Sequence, residues 1–171
     1  GELYTNYFHN LYDLPIANAR FFNVFGPGEV PGKYRNVIPN FMYWAMNKQA
    51  LPITGNGSET RDWTYVDDII QGLTRLGVVD KAIGESINLG SGKDHRVIDM
   101  ANKVNELCDN EAGIEYKERR DWDAKNKLLS SIDKAKKILK YNPVHTFEEG
   151  LENTHEWFVN NWDNIQKSAE F

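Results

Sequence analysis

The chain has 171 residues, of which 40% are hydrophobic and 26% charged, as expected for one globular domain with its own core. A formal net charge of −5, without a dominant basic patch, argues against nucleic acid as the main partner. The single cysteine excludes an internal disulfide, and the short apolar runs and the lack of a visible signal peptide predict a cytoplasmic protein without membrane contact.

Residues 1–14 predict a helix with an unusually wide apolar face, which ends at Pro15. The face consists of Leu3, Tyr4, Tyr7, Phe8, Leu11, Tyr12 and Leu14. It must pack on more than one neighbour, either the sheet of its own subunit or a partner helix. Residues 16–22 then predict a buried strand that leads into Asn23. Ligands of open α/β sheets bind at such strand ends, so Asn23 is a candidate ligand contact, although it could equally cap a turn.

Residues 51–68 place a strand, a turn, a cation and a helix start in one short run. The strand stops at Gly55 and Gly57, which permit the positive φ of a tight turn. Arg61 follows, just before an apolar pattern of helical period begins at Val66. A guanidinium in such a loop can bind phosphate oxygens through two charge-assisted hydrogen bonds, but Arg61 could also pair locally with Asp62.

The other segments predict an alternation of helices and strands. Helices are predicted at about 36–48, 66–79, 97–108 and 131–139, the last with Ser131 as N-cap, and strands at 86–89 and 114–118. A final helix follows the capping-box pair Thr146 and Glu149 and ends near Gln166. Cys108 lies in an apolar helical pattern and is predicted to be a core residue. The four histidines lack metal-ligand spacing, so no metal site is expected.

Three motifs carry a resemblance to a known family. The run P-x-x-G-x-G-x-x-x-R-D-x-x-x-V-x-D at 52–68 is similar to the substrate-domain motif of the extended short-chain dehydrogenases, the NAD-dependent NDP-sugar epimerases and dehydratases. The motifs R-x-x-N-x-x-G-P at 20–27 and N-L-G-x-G at 88–92 fit the same family, and the overall pattern resembles UDP-glucose 4-epimerase. Ser86 and Ile87 depart from the usual aromatic, and Lys140 stands where glycine is usual.

The resemblance implies a set of binding residues. Arg61 and Arg120 would contact the diphosphate of an NDP-sugar, with Arg119 in place of Arg120 if the register shifts by one residue. The arginines near 120 could instead form a solvated salt-bridge cluster with the neighbouring acids. Asn23 would lie near the phosphates, and Phe22 at the strand end is assigned to the cofactor. The predicted neighbours of the nucleotide base are Asn36, Val37, Ile53 and Thr54.

Two family motifs are not found in the chain, namely G-x-x-G-x-x-G and Y-x-x-x-K. In the family they hold the NAD pyrophosphate and supply the general base. The chain therefore resembles the C-terminal half of a longer enzyme, cut immediately after its catalytic residues. We expect no catalytic residue here, NAD bound mainly by the missing half, and no activity of the chain alone.

The predicted fold is α/β, with the C-terminal part of a Rossmann-like parallel sheet and a small α/β substrate-binding lobe. The sheet elements are expected at about 1–25 and 66–108, and the lobe at about 26–65 and 109–171. The resemblance also implies a homodimer through the helix at 1–14. A partial sheet exposes unpaired edges, which predicts self-association or poor stability of the isolated chain.

Three functional interpretations stay open at this stage. The first is the nucleotide-sugar-binding part of an NAD-dependent epimerase that acts on a UDP-hexose. The second, within the same family, is a 4,6-dehydratase or a decarboxylase. The third is a non-catalytic module that binds a nucleotide sugar or a protein partner.

Overall fold

Helices and short strands alternate along the chain in the computed structural model, which describes residues 1–119 and 125–171. The helices are α1 (Glu2–Tyr12), α2 (Val37–Met46), α3 (Val66–Leu76), α4 (Val97–Leu107), α5 (Asp133–Leu139), α6 (Phe147–Asn160) and α7 (Trp162–Ser168), with a 3₁₀ turn at Asp80–Ala82. The strands are β1 (Asn18–Phe21), β2 (Val24–Phe25), β3 (Leu51–Thr54), β4 (Thr60–Arg61), β5 (Thr64–Tyr65), β6 (Ser86–Leu89), β7 (His95–Arg96), β8 (Ile114–Lys117) and β9 (Lys127–Leu128). Among the described residues, no helix has the length and apolar content needed to cross a bilayer.

The strands pair mainly in parallel, which confirms the predicted α/β fold class. β1 pairs with β6 in the register Asn18 to Ser86, and β2 pairs with β5. β3 pairs with β8, and β4 lies between β9, which is parallel to it, and the antiparallel β7. Parallel neighbours need long crossovers, which the helices provide. The carboxyl ends of β1 and β3 therefore lead into loops that can line a common site.

Two clusters of buried apolar side chains hold these elements together. The larger core lies between α2, β3, α4 and α6, and its aromatic part includes Trp63 stacked on Phe147 with ring centroids 5.4 Å apart. The smaller core lies beneath β6, between α3 and α5. It comprises Ile69, Ala82, Ile87, Leu89, Ile132, Ala135, Leu139 and Tyr141. Thus α4 packs in the larger core and α5 in the smaller one. The division of the chain into sheet elements and a substrate-binding lobe stays a prediction.

Cys108 lies in the larger core, as predicted from its helical pattern. Burial raises the pKa of its thiol to about 11, because the thiolate would lose hydration there. The thiol is therefore protonated at neutral pH and acts as a small apolar side chain.

Two predicted helix boundaries were wrong. The N-cap of α5 is Ile132 and not Ser131, because the backbone N–H of Lys136 donates to the Ile132 carbonyl and the helix begins at Asp133. The predicted final helix is two helices, since Asn161 adopts φ −120° between α6 and α7 and its side chain donates to the Trp157 carbonyl. The capping box that Thr146 and Glu149 form at the start of α6 is confirmed.

Helix α1 contacts the rest of the chain through polar groups. None of its residues is buried, and its large apolar side chains are exposed. The Glu2 carboxylate accepts hydrogen bonds from Arg20 and Ser86, and the bond from Arg20 is the main reason that the pKa of Glu2 lies below its usual value. The Thr5 hydroxyl donates to the Asn18 side chain at 2.7 Å. The helix is therefore positioned by hydrogen bonds and leaves its apolar face outward.

Candidate functional site

A cavity of about 590 Å³ lies where the loop after β1, the start of α2, strand β3 and strand β4 meet. Arg35, Glu59 and Trp63 contribute to its wall, and none of them was predicted to be a binding residue. It is also lined by six of the seven residues predicted to bind substrate, namely Asn23, Asn36, Val37, Ile53, Thr54 and Arg61.

Asn23 connects the strand end to the turn that carries Arg61. Its side-chain amide donates to the Asp62 carbonyl at 3.4 Å, and its own carbonyl accepts from the Thr64 backbone N–H at 3.1 Å. These contacts reach a segment some 40 residues further along the chain, rather than the local turn that Asn23 could have capped. The side chain is therefore fixed at the cavity wall by tertiary contacts.

Asn36 is the N-cap residue of α2, but its side chain makes no capping hydrogen bond. The amide instead donates to the Glu29 carboxylate at 2.7 Å. Burial raises the pKa of Glu29, and the hydrogen bond from Asn36 opposes that shift. The contact joins the start of α2 to the loop at 26–36 and sets Asn36 and Val37 against the cavity.

Arg61 occupies the centre of the three-stranded sheet, because its backbone pairs with His95 of β7 and Leu128 of β9. One of its guanidinium nitrogens donates to the Thr60 carbonyl at 2.9 Å. The positive φ of Gly55 and Gly57, at 75° and 73°, confirms the predicted turn before it. The positively charged Arg61 is thus held at the cavity by a strand on each side of β4.

Asp62 is completely buried, and its carboxylate joins three loops. One oxygen accepts from the Thr64 hydroxyl and from the backbone and hydroxyl of Ser91, the latter at 2.6 Å. The other oxygen accepts from the Gly92 backbone N–H and from the backbone and hydroxyl of Ser130. Local pairing with Arg61 was the alternative drawn from the sequence, and the structure instead gives Asp62 this framework role.

Glu59 is a second buried carboxylate, and it lines the cavity. It pairs with Arg119, whose Nη1 lies 3.5 Å from the Glu59 Oε1 and whose Nη2 donates to Asn126 at 2.6 Å. Strand β8 brings Arg119 to this position, since Lys117 pairs with Thr54 of β3. Arg120 lies outside the described residues, so its predicted contact with a diphosphate stays a prediction.

Phe22 lies at the end of β1, where its backbone N–H donates to the Leu89 carbonyl at 3.2 Å, and it is partly buried. It does not line the cavity that contains the predicted substrate residues. The glycine-rich fingerprint that holds a dinucleotide pyrophosphate does not occur in this sequence. Phe22 therefore stays a predicted neighbour of the cofactor.

Within the described part of the chain, no group of three or more His, Cys, Asp or Glu side chains has a geometry that could hold a metal ion. The cavity combines cationic and amide groups that can bind an anion with one apolar wall and with the Glu59 carboxylate, which is paired with Arg119. Arg35 and Arg61 supply positive charge, Asn23 and Asn36 supply amides, and β3 supplies the apolar side.

Comparisons with known proteins agree with this geometry. The model of the GDP-mannose 4,6 dehydratase family matches residues 1–154. An epimerase from Methanothermobacter thermautotrophicus is 70% identical, and its solved structure gives a TM-score of 0.98 over 99% of this chain and 51% of that chain. The Bordetella bronchiseptica enzyme WbmF, solved with NAD+ and UDP, is 34% identical with a TM-score of 0.86 over 97% of this chain and 52% of its own.

A UDP-glucuronate 4-epimerase from Thermodesulfobacterium geofontis is 35% identical over 97% of this chain and 50% of its own length. Other curated relatives are UDP-sugar dehydratases and decarboxylases. The chain spans about half the length of the epimerases and about a quarter of the trifunctional dehydratases. Because the family model extends over 154 of the 171 residues, the chain belongs to the GDP-mannose 4,6 dehydratase family, among the NAD-dependent NDP-sugar epimerases and dehydratases that its motifs resemble.

Proposed function

We propose that this chain is the nucleotide-sugar-binding part of an NAD-dependent NDP-sugar epimerase that acts on a UDP-hexose. The observation that carries the proposal is the single cavity that gathers Asn23, Arg61 and the residues of β3 and α2. Its volume of about 590 Å³ falls within the range of roughly 300–1,000 Å³ typical of small-molecule sites. Relatives that are named as epimerases or were solved with UDP support the choice of ligand.

Each side chain has a role that suits its chemistry. The Arg61 guanidinium presents a planar fork to the diphosphate, and the Asn23 amide donates to a neighbouring phosphate oxygen. The base lies against Ile53 and Thr54 on one side and Asn36 on the other. Arg120 is the proposed second contact to the diphosphate, with Arg119 as the alternative if the register shifts by one.

NAD, when bound, would supply reversible hydride transfer at a sugar carbon. The residues of this chain hold the distant nucleotide end of the substrate, so that their binding energy restricts where the sugar can lie. The chain contains neither the glycine fingerprint nor Y-x-x-x-K. We therefore propose that the 171-residue chain binds UDP-sugars but does not turn them over.

The alternative within the family is a 4,6-dehydratase or a decarboxylase, because both activities occur among the curated relatives. A non-catalytic nucleotide-sugar-binding module is the third option. The intact mass of the native protein separates that option from the others, since an enzyme of this family needs an additional segment with the two missing motifs. A homodimer through α1 and a cytoplasmic location also stay proposals.

The experiment that tests the proposal measures UDP binding by the 171-residue chain and by Arg61→Ala. Charge-assisted hydrogen bonds contribute about 1.5–3 kcal/mol each, so Arg61→Ala should weaken binding about 10- to 100-fold. Arg61→Lys should give an intermediate dissociation constant, because an ammonium keeps the charge but loses the planar fork. Titration calorimetry with UDP provides the constants, and a coupled assay with UDP-glucose should detect no product.

A matched control is Arg96→Ala, which removes one exposed guanidinium that is paired with Asp99 and does not line the cavity. Its UDP affinity should equal that of the unmodified chain. Equal affinities of Arg61→Ala and Arg96→Ala would refute the diphosphate role of Arg61. Turnover of UDP-glucose by the purified chain would refute the proposed inactivity.

A further inference from the structure

The segment at 168–171 packs along the loop that leads to the cavity. Gly32 and Glu170 form a parallel β-bridge, in which the backbone N–H of Lys33 donates to the Glu170 carbonyl at 2.7 Å. A second cavity of about 480 Å³ is lined by residues 30–35 of this loop and by Ser168, Glu170 and Phe171. The segment therefore holds the middle of the loop at 26–36 through backbone contacts.

Gly32 is held from its other side by Asn40 of α2. The buried Asn40 side chain accepts from the Gly32 N–H at 2.8 Å and donates to the Gly32 carbonyl at 3.1 Å. A β-carbon at position 32 would lie 3.0 Å from the Glu170 carbonyl oxygen, which is closer than nine in ten such contacts. The loop is thus clamped between a helix and the 168–171 segment at a residue without a side chain.

Phe171 attaches the segment to α2. Its ring centroid lies 5.2 Å from that of Tyr43 and 5.3 Å from that of Trp44, and Tyr43 also contacts the ring of Trp162 in α7. Aromatic pairs at such distances contribute about 0.5–1.5 kcal/mol beyond the area they bury. These ring contacts connect the segment to α2.

The clamped loop delivers two cavity residues. The backbone N–H of Arg35 donates to the Gly32 carbonyl at 3.1 Å, which closes a turn on the clamped glycine. The Arg35 side chain lines both the second cavity and the proposed substrate cavity, and Asn36 follows it directly. A displacement of Gly32 therefore moves Arg35 and Asn36 relative to Arg61.

We propose that the 168–171 segment is a strap, whose contacts with Gly32, Lys33 and α2 position Arg35 and Asn36 for binding of a nucleoside diphosphate sugar. This inference rests on the proposed function, because it concerns the same cavity. Phe171 and Glu170 are positioning residues, which act on the ligand through the loop.

The experiment compares Phe171→Ala, Gly32→Ala and the unmodified chain by amide hydrogen exchange and UDP calorimetry. Both variants should accelerate exchange of the amides at 32–36 and weaken UDP binding several-fold, while exchange of the β3 amides stays unchanged. Phe171→Tyr should show the exchange rate and the UDP affinity of the unmodified chain, because it keeps the ring and can leave its hydroxyl in solvent. Gly77→Ala is the matched control, since a β-carbon there meets nothing nearer than 3.7 Å.

The outcomes separate the strap from the proposed function. Unchanged exchange at 32–36 in both variants, or faster exchange with unchanged UDP affinity, overturns the strap. If the unmodified chain binds no UDP, the proposed function fails, and exchange at Arg35 and Asn36 alone decides whether the strap positions them. Arg61→Ala should weaken UDP binding without faster loop exchange, which distinguishes loss of a ligand contact from loss of positioning.

Discussion

Arg61 and Asp62 are neighbours in the sequence, but their side chains lie in different surroundings. The guanidinium reaches the cavity, whereas the carboxylate is buried and accepts hydrogen bonds from Ser91, Gly92 and Ser130. The Asp62 framework therefore fixes the backbone from which Arg61 extends. The buried carboxylate is tolerated because backbone N–H groups and hydroxyls donate to both of its oxygens.

Replacement of Asp62 by Asn should strongly destabilise the chain. The NH2 of the new amide would replace one carboxylate oxygen and leave the donors of that oxygen without an acceptor, at a cost of about 2–4 kcal/mol in the free energy of unfolding. Urea unfolding monitored by circular dichroism measures the difference. The control is Asp67→Asn, which alters an exposed acid in the first turn of α3 and should change stability by less than about 0.5 kcal/mol. Equal stability of the two variants would show that the Asp62 network is not needed.

Arg35 and Glu59 show which part of the cavity could not be predicted from sequence. Asn23, Ile53 and Arg61 lie in motifs at strand ends, so their common location followed from the fold. Arg35 lines the cavity from a loop in which Gly32 is hydrogen-bonded to Asn40 of α2. Glu59 faces inward next to Arg119, which β8 brings from 60 residues further along. Tertiary contacts of this kind do not produce a periodic pattern in the sequence, so they could not be predicted from it.

At the scale of elements, the capping box of α6 is both predictable and sensitive to pH. Thr146 and Glu149 exchange hydrogen bonds, and the one from the Thr146 backbone N–H is the main cause that lowers the pKa of Glu149. A carboxyl whose pKa is lower in the folded state stabilises the fold above its unfolded pKa of about 4.3. That stabilisation is lost as the pH falls through the lower, folded pKa.

Glu149→Ala should therefore lower the thermal midpoint at neutral pH, and the difference from the unmodified chain should shrink as the pH falls below about 4.3. Glu156→Ala, an exposed acid in the middle of α6, is the control and should show a smaller difference at neutral pH. Thermal unfolding by circular dichroism at a series of pH values measures both. If the difference in thermal midpoint caused by Glu149→Ala were the same at every pH, the ionisation of Glu149 would not contribute to the stability of the fold.

The helix boundaries that sequence could not predict depend on single backbone angles. The apolar pattern of α6 continues through Trp162 to Ile165, so it predicted one helix. Asn161 interrupts it because its φ of −120° departs from helical geometry, while Ile165 of α7 still packs in the larger core. Hydrophobic periodicity indicates which residues of a helix are buried. It does not reveal a break in the helix when the residues on both sides of the break stay buried.

At the scale of the whole molecule, the two-stranded β1–β6 sheet and the apolar face of α1 are only partly covered by other elements. β1 and β6 form a sheet of two strands within the described residues, and two-stranded sheets depend on packing for their stability. The smaller core supports one face of this pair, and α1 adds hydrogen bonds beside it. The exposed apolar surface of α1 is thus the strongest feature available for association.

We expect the 171-residue chain to self-associate through α1. Tyr4, Tyr7 and Leu11 are 72%, 58% and 53% exposed, so their replacement by glutamate should remove apolar contact area without disturbing the fold. Sedimentation velocity across a wide concentration range should show a dimer or larger species for the unmodified chain and a monomer for the triple variant, with the same circular dichroism spectrum. Val159→Glu, at an exposed position of α6, should sediment like the unmodified chain. A stable monomer of the unmodified chain at high concentration would mean that the apolar face of α1 does not bind a second copy.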